Sequence, residues 1–380
     1  MNPIPFNKPF IAGRELQYIA EAVENGNISG DGAFTQRCAE LMESKFGITK
    51  VLLTPSCTAA LEMASMLADL SPGDEAIVPS FTFVSTASAI ARCGATPVFV
   101  DIEPETLNLD PQRFREAITD HTKVVFPIHY GGVAADMTEI IRISRDNNLL
   151  VVEDAAQGVN AKYQSQYLGA IGDMGVYSFH ETKNFICGEG GAICLNRPDL
   201  VERAEIIRDK GTNRKQFFRG LVDKYTWVDH GSSYVPSEIN CAFLFGQLEC
   251  MDLISEKRRQ LYETYQNGLQ QLASAELLKL PVIPEHCESN HHTFFVITSD
   301  GDTRDRLLEH LRDREIHAVF HYVPLHSSPM GLAVGKSQDL PVTEDLSRRL
   351  IRLPMYFELT DGEQQRVIDA VYAFYGVTRA

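Results

Sequence analysis

From Val51 onward the chain alternates short, β-branched apolar runs with longer segments whose apolar residues recur every three to four positions. That alternation is the pattern of βαβ units. Strands are predicted at VLLTP (51–55), EAIVPS (75–80), TPVFVDI (96–102), KVVFPIHY (123–130), LLVVEDAA (149–156), MGVYSFH (174–180) and GGAICLN (190–196). Helices are predicted over 58–69, 84–93, 111–118 and 136–147, with two more ahead of the first strand, at 13–25 and from Thr35. Runs such as VVFPI and LLVVE are apolar on both faces, as strands between two helix layers must be. The expected fold is therefore α/β, with a doubly wound, mostly parallel sheet. In such sheets ligands bind beyond the carboxyl ends of the strands.

After Met251 the texture changes to a long amphipathic helix (ISEKRRQLYETYQNGLQQL), a strand (HTFFVIT), a helix (TRDRLLEHLRDREI) and further short elements. This reads as a second, smaller α/β domain of residues 251–380 joined by residues 1–12, beside a large domain of residues 13–250. The length of 380 residues suits two domains of unequal size.

Lys and Arg number 35 against 51 Asp and Glu, a formal charge of −16, so a broad footprint for nucleic acid or an anionic membrane is not expected. An anionic ligand would need a local site. The eight cysteines, at 38, 57, 93, 187, 194, 241, 250 and 287, show no C-x-x-C and no zinc-type spacing, and read as reduced thiols. The segment MNPIPFNKPF lacks the apolar stretch of a signal peptide, and no run is apolar and long enough to span a bilayer, so a cytoplasmic location is expected.

Three strand ends hold candidate chemistry. Ser56, Cys57 and Thr58 follow the first strand and open a helix, whose free N–H groups and dipole either form a phosphate cup or are merely capped by Ser56. Glu153 and Asp154 end the fifth strand, and alternation sends them to opposite faces, so one of them at most meets a ligand. Lys183 follows the sixth strand and faces the glycine-rich return CGEGG (187–191); on its own it reads as a solvated lysine, and only its company with the other two sites favours chemistry. The chain contains neither G-x-G-x-x-G nor G-x-x-x-x-G-K-[ST], which argues against dinucleotides and P-loop nucleotides. A phosphate cup, a carboxylate and a lysine along one sheet edge are the three groups that pyridoxal 5′-phosphate (PLP) needs, for its phosphate, its ring nitrogen and its aldehyde.

The ordered segments SCTAAL, PSFTFVST, VVEDAAQ, SFHETKN with GEGGA, and HYVPLH resemble the DegT/DnrJ/EryC1/StrS family of sugar aminotransferases. The resemblance implies a PLP-dependent transferase of fold type I, with a seven-stranded, mostly parallel sheet in its large domain. It implies that Lys183 forms the Schiff base with PLP and that Asp154 pairs with the pyridine nitrogen. Gln157 would lie by the ring, Phe83 would stack on its face, and Ser56, Cys57, Thr58 and Ser178 would hold the phosphate. Members that dehydrate sugars carry His at the lysine position, so Lys183 favours transamination.

Two departures from the family pattern stand out. Many relatives have Gly in place of Cys57. Many also have a G-Y-x-Y-[NR] segment whose last residue reaches the partner subunit's phosphate, whereas this chain reads Gly231-Ser232-Ser233-Tyr234-Val235. Val235 cannot donate that bond, so either Ser232 or Ser233 replaces it or the contact is absent.

The segments LLTPSCTAALEMA, FHETKN and KGTNRKQFFRGLVDKYTW are similar to members that make dTDP-4-amino-4,6-dideoxygalactose. The implied reaction moves the amino group of L-glutamate to the 4-keto carbon of a dTDP-linked 6-deoxyhexose. Amination of another keto sugar nucleotide, at C3 or with other stereochemistry, is the alternative, as is a PLP-fold sensor or scaffold without turnover. The resemblance also implies a homodimer with its active site at the interface. Arg208 to Lys224 carries six basic residues against two aspartates, so Lys210, Arg214 and Arg219 are candidates for the diphosphate, with a solvated loop as the plain alternative. His321 and Tyr322 would approach the sugar from the small domain. His129 and Tyr130 are cleft or structural residues, and the spacing of His317, His321 and His326 suits no metal.

Overall fold

The computed structural model describes residues 2–379. The strands used below are β1 (Lys50–Thr54), β2 (Glu75–Pro79), β3 (Thr96–Val100), β4 (Thr122–Val125), β5 (Leu150–Asp154), β6 (Met174–Ser178), β7 (Gly191–Leu195), β8 (Leu278–Lys279), β9 (Phe295–Thr298), β10 (Lys336–Ser337) and β11 (Leu350–Arg352). The large sheet runs β1-β7-β6-β5-β4-β2-β3-β10. β7 alone runs opposite to the other strands. The carboxyl ends of β1, β6, β5, β4, β2 and β3 therefore share one edge.

All seven predicted strands are present, and an eighth extends the expected seven-stranded sheet: the two-residue β10 pairs in parallel with β3. Its Lys336 ammonium contacts the buried Glu75 carboxylate at 2.5 Å. The strand expected at 123–130 stops at Val125, and the chain turns through Tyr130–Gly132. Pro127 explains the stop, since it has no N–H to give the ladder.

Pleat alternation divides the core into two layers. Val51, Leu53, Val125 and Val151 pack on one side with helices 15–24, 33–46 and 238–249. Leu52, Val124, Val152 and Val176 pack on the other with the helix Cys57–Leu67. The sequence pattern does not predict the helix Glu238–Glu249, because EINCAFLFGQLE is apolar nearly all round and shows no amphipathic period. Its buried Glu238 accepts the N–H groups of Gly32, Phe34 and Thr35, and so caps another helix.

A separate antiparallel sheet, β8-β9-β11, lies in a third apolar cluster with Leu261, Tyr265, Leu307, Val367 and Ile368. Ile4 is fully buried in that cluster and bridges to Ile316. All eight cysteines are free. Among the described residues no helix is long and apolar enough to cross a membrane.

Candidate active site

The shared carboxyl edge opens into a cavity of about 720 Å³, whose wall also includes residues 319–323 with Arg352, Leu353 and Met355. Ser56 caps the helix Cys57–Leu67, its Oγ accepting the Ala59 N–H at 3.1 Å. The Cys57 and Thr58 N–H groups are left without an acceptor among the described residues. Both readings of Ser56 thus hold at once: the side chain caps, and the first-turn amides stay available to an anion. Thr58 Oγ1 and Ser85 Oγ lie 2.8 Å apart beside them, and the Ser178 hydroxyl, at the end of β6, is almost wholly buried. Gly191 lets β7 approach this turn: a Cβ there would sit 2.4 Å from the Cys57 nitrogen.

Asp154 ends β5 facing the cavity. Its Oδ2 accepts a hydrogen bond from Thr86 Oγ1 at 2.7 Å and its Oδ1 one from the Ala156 N–H at 3.2 Å. Glu153 points through the opposite face and is fully buried. One oxygen accepts the N–H groups of Ile171 and Gly172, both at 2.7 Å. The other accepts Gly169 N–H at 2.9 Å and faces His129 Nε2 at 3.0 Å. His129 Nδ1 accepts the Ala135 N–H, so Nε2 is the donor to Glu153. His129 is therefore a structural residue.

Lys183 lines the cavity and makes no side-chain hydrogen bond or ion pair among the described residues. Burial pushes its ammonium below the ordinary lysine pKa, and the Arg352 charge acts in the same direction, against the opposing pull of Cys57 and Asp154. The next residue anchors the turn: Asn184 donates to the Asn290 carbonyl at 2.9 Å and accepts from His292 Nδ1 at 2.9 Å. Gln157 is held from both ends, its Oε1 accepting Gly131 N–H at 2.7 Å and its Nε2 donating to Tyr322 Oη at 2.9 Å. His321 pairs through Nδ1 with the Tyr130 hydroxyl at 3.1 Å, and burial keeps it neutral by pushing its pKa well down. Phe83 caps the helix Val84–Arg92 and exposes 58% of its surface at the cavity wall.

Ser56, Cys57, Thr58, Phe83, Asp154, Gln157, Ser178, Lys183, His321 and Tyr322 thus line one cavity. Lys210, Arg214, Arg219, Ser232 and Ser233 do not line it. Much of the basic stretch is already neutralised: Arg208 pairs with Asp31 at 2.6 Å, Lys210 with Asp209 at 2.9 Å, and Arg219 with both oxygens of Glu205 at 2.8 Å. The sequence reading missed Arg258, His292 and Arg352 in the lining. Arg352 had a visible signal, a lone charge inside the apolar run LIRLP.

The residues present fit PLP. An unpartnered amine, a carboxylate fixed by two donors, and free first-turn amides beside two hydroxyls together supply the three contacts that the cofactor requires. Fold and site define a fold type I, PLP-dependent aminotransferase. The chain belongs to the DegT/DnrJ/EryC1/StrS aminotransferase family, which matches residues 9–372. It is 31% identical over 384 residues to the spore coat polysaccharide biosynthesis protein SpsC of Bacillus subtilis, covering 97% of this chain and 96% of that one. It is 35% identical over 319 residues to the pleiotropic regulatory protein of Geobacillus stearothermophilus, covering 83% of this chain and 82% of that one. Among solved structures it is similar to the aminotransferase TlmJ of Streptoalloteichus hindustanus, with a TM-score of 0.90, 30% identity and coverage of 98% and 99%. The protein is a PLP-dependent sugar aminotransferase, taking an amino donor and a keto sugar.

Proposed function

We propose that the enzyme moves the amino group of L-glutamate to C4 of dTDP-4-dehydro-6-deoxy-D-glucose, giving dTDP-4-amino-4,6-dideoxy-D-galactose for a surface polysaccharide. The observation that carries the chemistry is the unpartnered Lys183 amine sharing one cavity with Asp154 and the open helix turn. The particular sugar rests on the segments LLTPSCTAALEMA, FHETKN and KGTNRKQFFRGLVDKYTW. SpsC, by its name a polysaccharide biosynthesis protein, supports the pathway class.

Bound PLP supplies an aldehyde that takes up the amine and a cationic ring that accepts the electron pair released at the substrate carbon. Asp154, steered by Thr86 and Ala156, holds the proton on the ring nitrogen. The first-turn amides of Cys57 and Thr58, with Ser178, bind the phosphate. Phe83 would cover a ring face, and Gln157, locked by Gly131 and Tyr322, would lie beside the ring. Lys183 is both tether and base. Its lowered pKa populates the neutral amine nearer to neutral pH, so that it can take a proton from the substrate carbon and return it.

The functional unit in this reading is a cytoplasmic homodimer with its active site at the interface. Phe218, Leu221 and Trp227 are each at least 70% exposed, a concentration of bare apolar surface that a second copy would cover. In the dimer, Lys210, Arg214, Arg219, Ser232 and Ser233 would serve the neighbouring cavity, the serines toward the cofactor phosphate and the basic residues toward the diphosphate.

The test is to convert the PLP-loaded enzyme with glutamate, remove excess donor, and offer a panel of keto sugar nucleotides with NMR identification of the products. A 4-amino product of galacto configuration from the dTDP-linked 4-keto sugar is expected. Preference for a 3-keto sugar, or another configuration at C4, would overturn the assignment.

A further inference from the structure

The chain that lines the cavity from Val319 to Val323 is tied, directly after it, to the end of β2. The tie is Ser80, which follows β2 and is fully buried. Its N–H donates to the Val100 carbonyl at 3.1 Å, and its carbonyl accepts the Leu325 N–H at 3.1 Å. Its hydroxyl oxygen accepts the His326 N–H at 3.1 Å and lies 2.7 Å from His326 Nδ1. The other ring nitrogen, Nε2, is 3.3 Å from Glu344 Oε1. Glu344 sits on the helix Pro341–Arg349, whose Val342 and Thr343 N–H groups bond to Asp101, the residue after β3. Between His326 and that helix, β10 pairs with β3, and Leu325 and Leu340 are buried with Val78 and Phe99. His326 is thus held on a frame fastened to the large sheet at both ends.

The hydrogen-bond directions follow from the chemistry of the partners. A carboxylate only accepts, so Nε2–H donates to Glu344, and in the neutral imidazole Nδ1 is left to accept the Ser80 hydroxyl proton. Both bonds of the Ser80 side chain therefore come from His326. Ser80 in turn opens a segment that carries two aromatic rings. Phe81 is fully buried, its ring centroid 5.2 Å from that of Tyr130 and 5.4 Å from that of Tyr322. Phe83 stands at the cavity wall, where its one ring contact among the described residues is to Tyr322 at 6.5 Å. Beyond Phe83 the helix is tied down separately, Ser85 beside Thr58 and Thr86 on Asp154. Phe83 is the part of this segment with the least hold of its own, so its direction depends on how the turn leaves β2.

We propose that His326 is a positioning residue for the cofactor site: through Ser80 it sets the turn of residues 80–83, and with it the angle at which Phe83 meets the PLP ring. This rests on the reading in which Phe83 covers a face of that ring.

Asn and Gln separate the two bonds of the imidazole. In H326N the side-chain oxygen stands where Nδ1 was and keeps the Ser80 bond; in H326Q the amide reaches toward Glu344 and leaves a methylene against Ser80. The test compares wild type, H326N, H326Q, F83A and F83A/H326Q by PLP titration of the cofactor-free proteins, visible circular dichroism of the bound cofactor, and melting curves without cofactor. Each His variant loses one bond, so the two should melt alike. PLP affinity should fall about five- to tenfold in H326Q, the worth of one aromatic stack, with a weaker dichroic band, and should return to within about twofold of wild type in H326N. F83A should lose at least as much as H326Q, and H326Q should add nothing to it. Wild-type affinity in H326Q, an H326N as impaired as H326Q, or additive losses in the double variant would each overturn the proposal. If F83A binds PLP as wild type does, the ring-cover reading fails and the route through Phe83 fails with it; if F83A loses affinity and H326Q does not, that reading stands and the proposal alone falls. Should H326Q not fold, S80A breaks the same bond from the other side and should reproduce the loss.

Discussion

Glu153 and Asp154 are adjacent carboxylates with opposite duties, and replacing each by its amide separates them. In Glu153→Gln one oxygen becomes an NH2 group, so two of the four donors around it face another donor inside a fully buried site. Each orphaned buried donor costs about 1–3 kcal/mol, which puts the loss of stability at about 2–6 kcal/mol. In Asp154→Asn the retained oxygen still accepts from Ala156, and the Thr86 hydroxyl can turn to accept from the new NH2, so the expected cost is about 1 kcal/mol or less. An amide cannot hold the ring nitrogen's proton by charge, however, and amino transfer should collapse. Urea unfolding of the cofactor-free proteins, paired with single-turnover kinetics on glutamate, reads both quantities. The reasoning is refuted if Glu153→Gln unfolds at the wild-type midpoint, or if Asp154→Asn keeps wild-type turnover.

Lys183→Met should stabilise the cofactor-free protein. Because the folded lysine pKa is depressed, the unfolded chain binds more protons, and the penalty is complete below the folded pKa. It fades as pH rises from there to the ordinary lysine value of 10.5, so the gain in the variant should shrink over that window in pH-resolved melting curves. Gly191→Ala forces a Cβ to within 2.6 Å of three backbone atoms of Ser56 and Cys57. It should weaken PLP binding at least tenfold by absorbance titration, more than it lowers the melting temperature of the cofactor-free form. Replacing Phe218 and Trp227 by serine should shift the protein toward monomer in sedimentation velocity, with loss of amino transfer and little change in monomer stability.

The parallel strands, the helices between them and the strand-end residues Ser56, Asp154 and Lys183 were legible in the sequence. They depend on local pattern: β-branched runs, helical period, and chemistry placed where a strand must stop. The motifs alone also pointed to the family. The choice between Glu153 and Asp154 was not legible, because alternation says only that the two diverge. Packing decided it, by bringing the amides of residues 169, 171 and 172 to one face and Thr86 to the other. Nor does pattern show that residues 208–224 stand away from their own chain's cavity with much of their charge paired, since ion pairs such as Arg208–Asp31 join residues 177 positions apart. Arg352 is the clearest case. In sequence it is a charge interrupting an apolar strand; only the fold, by setting β11 against Val319 and facing the carboxyl edge of the large sheet, makes it a cation in the active-site wall with no counterion. Local pattern fixes what each segment becomes, whereas contacts between distant segments decide which charges are satisfied and which are not.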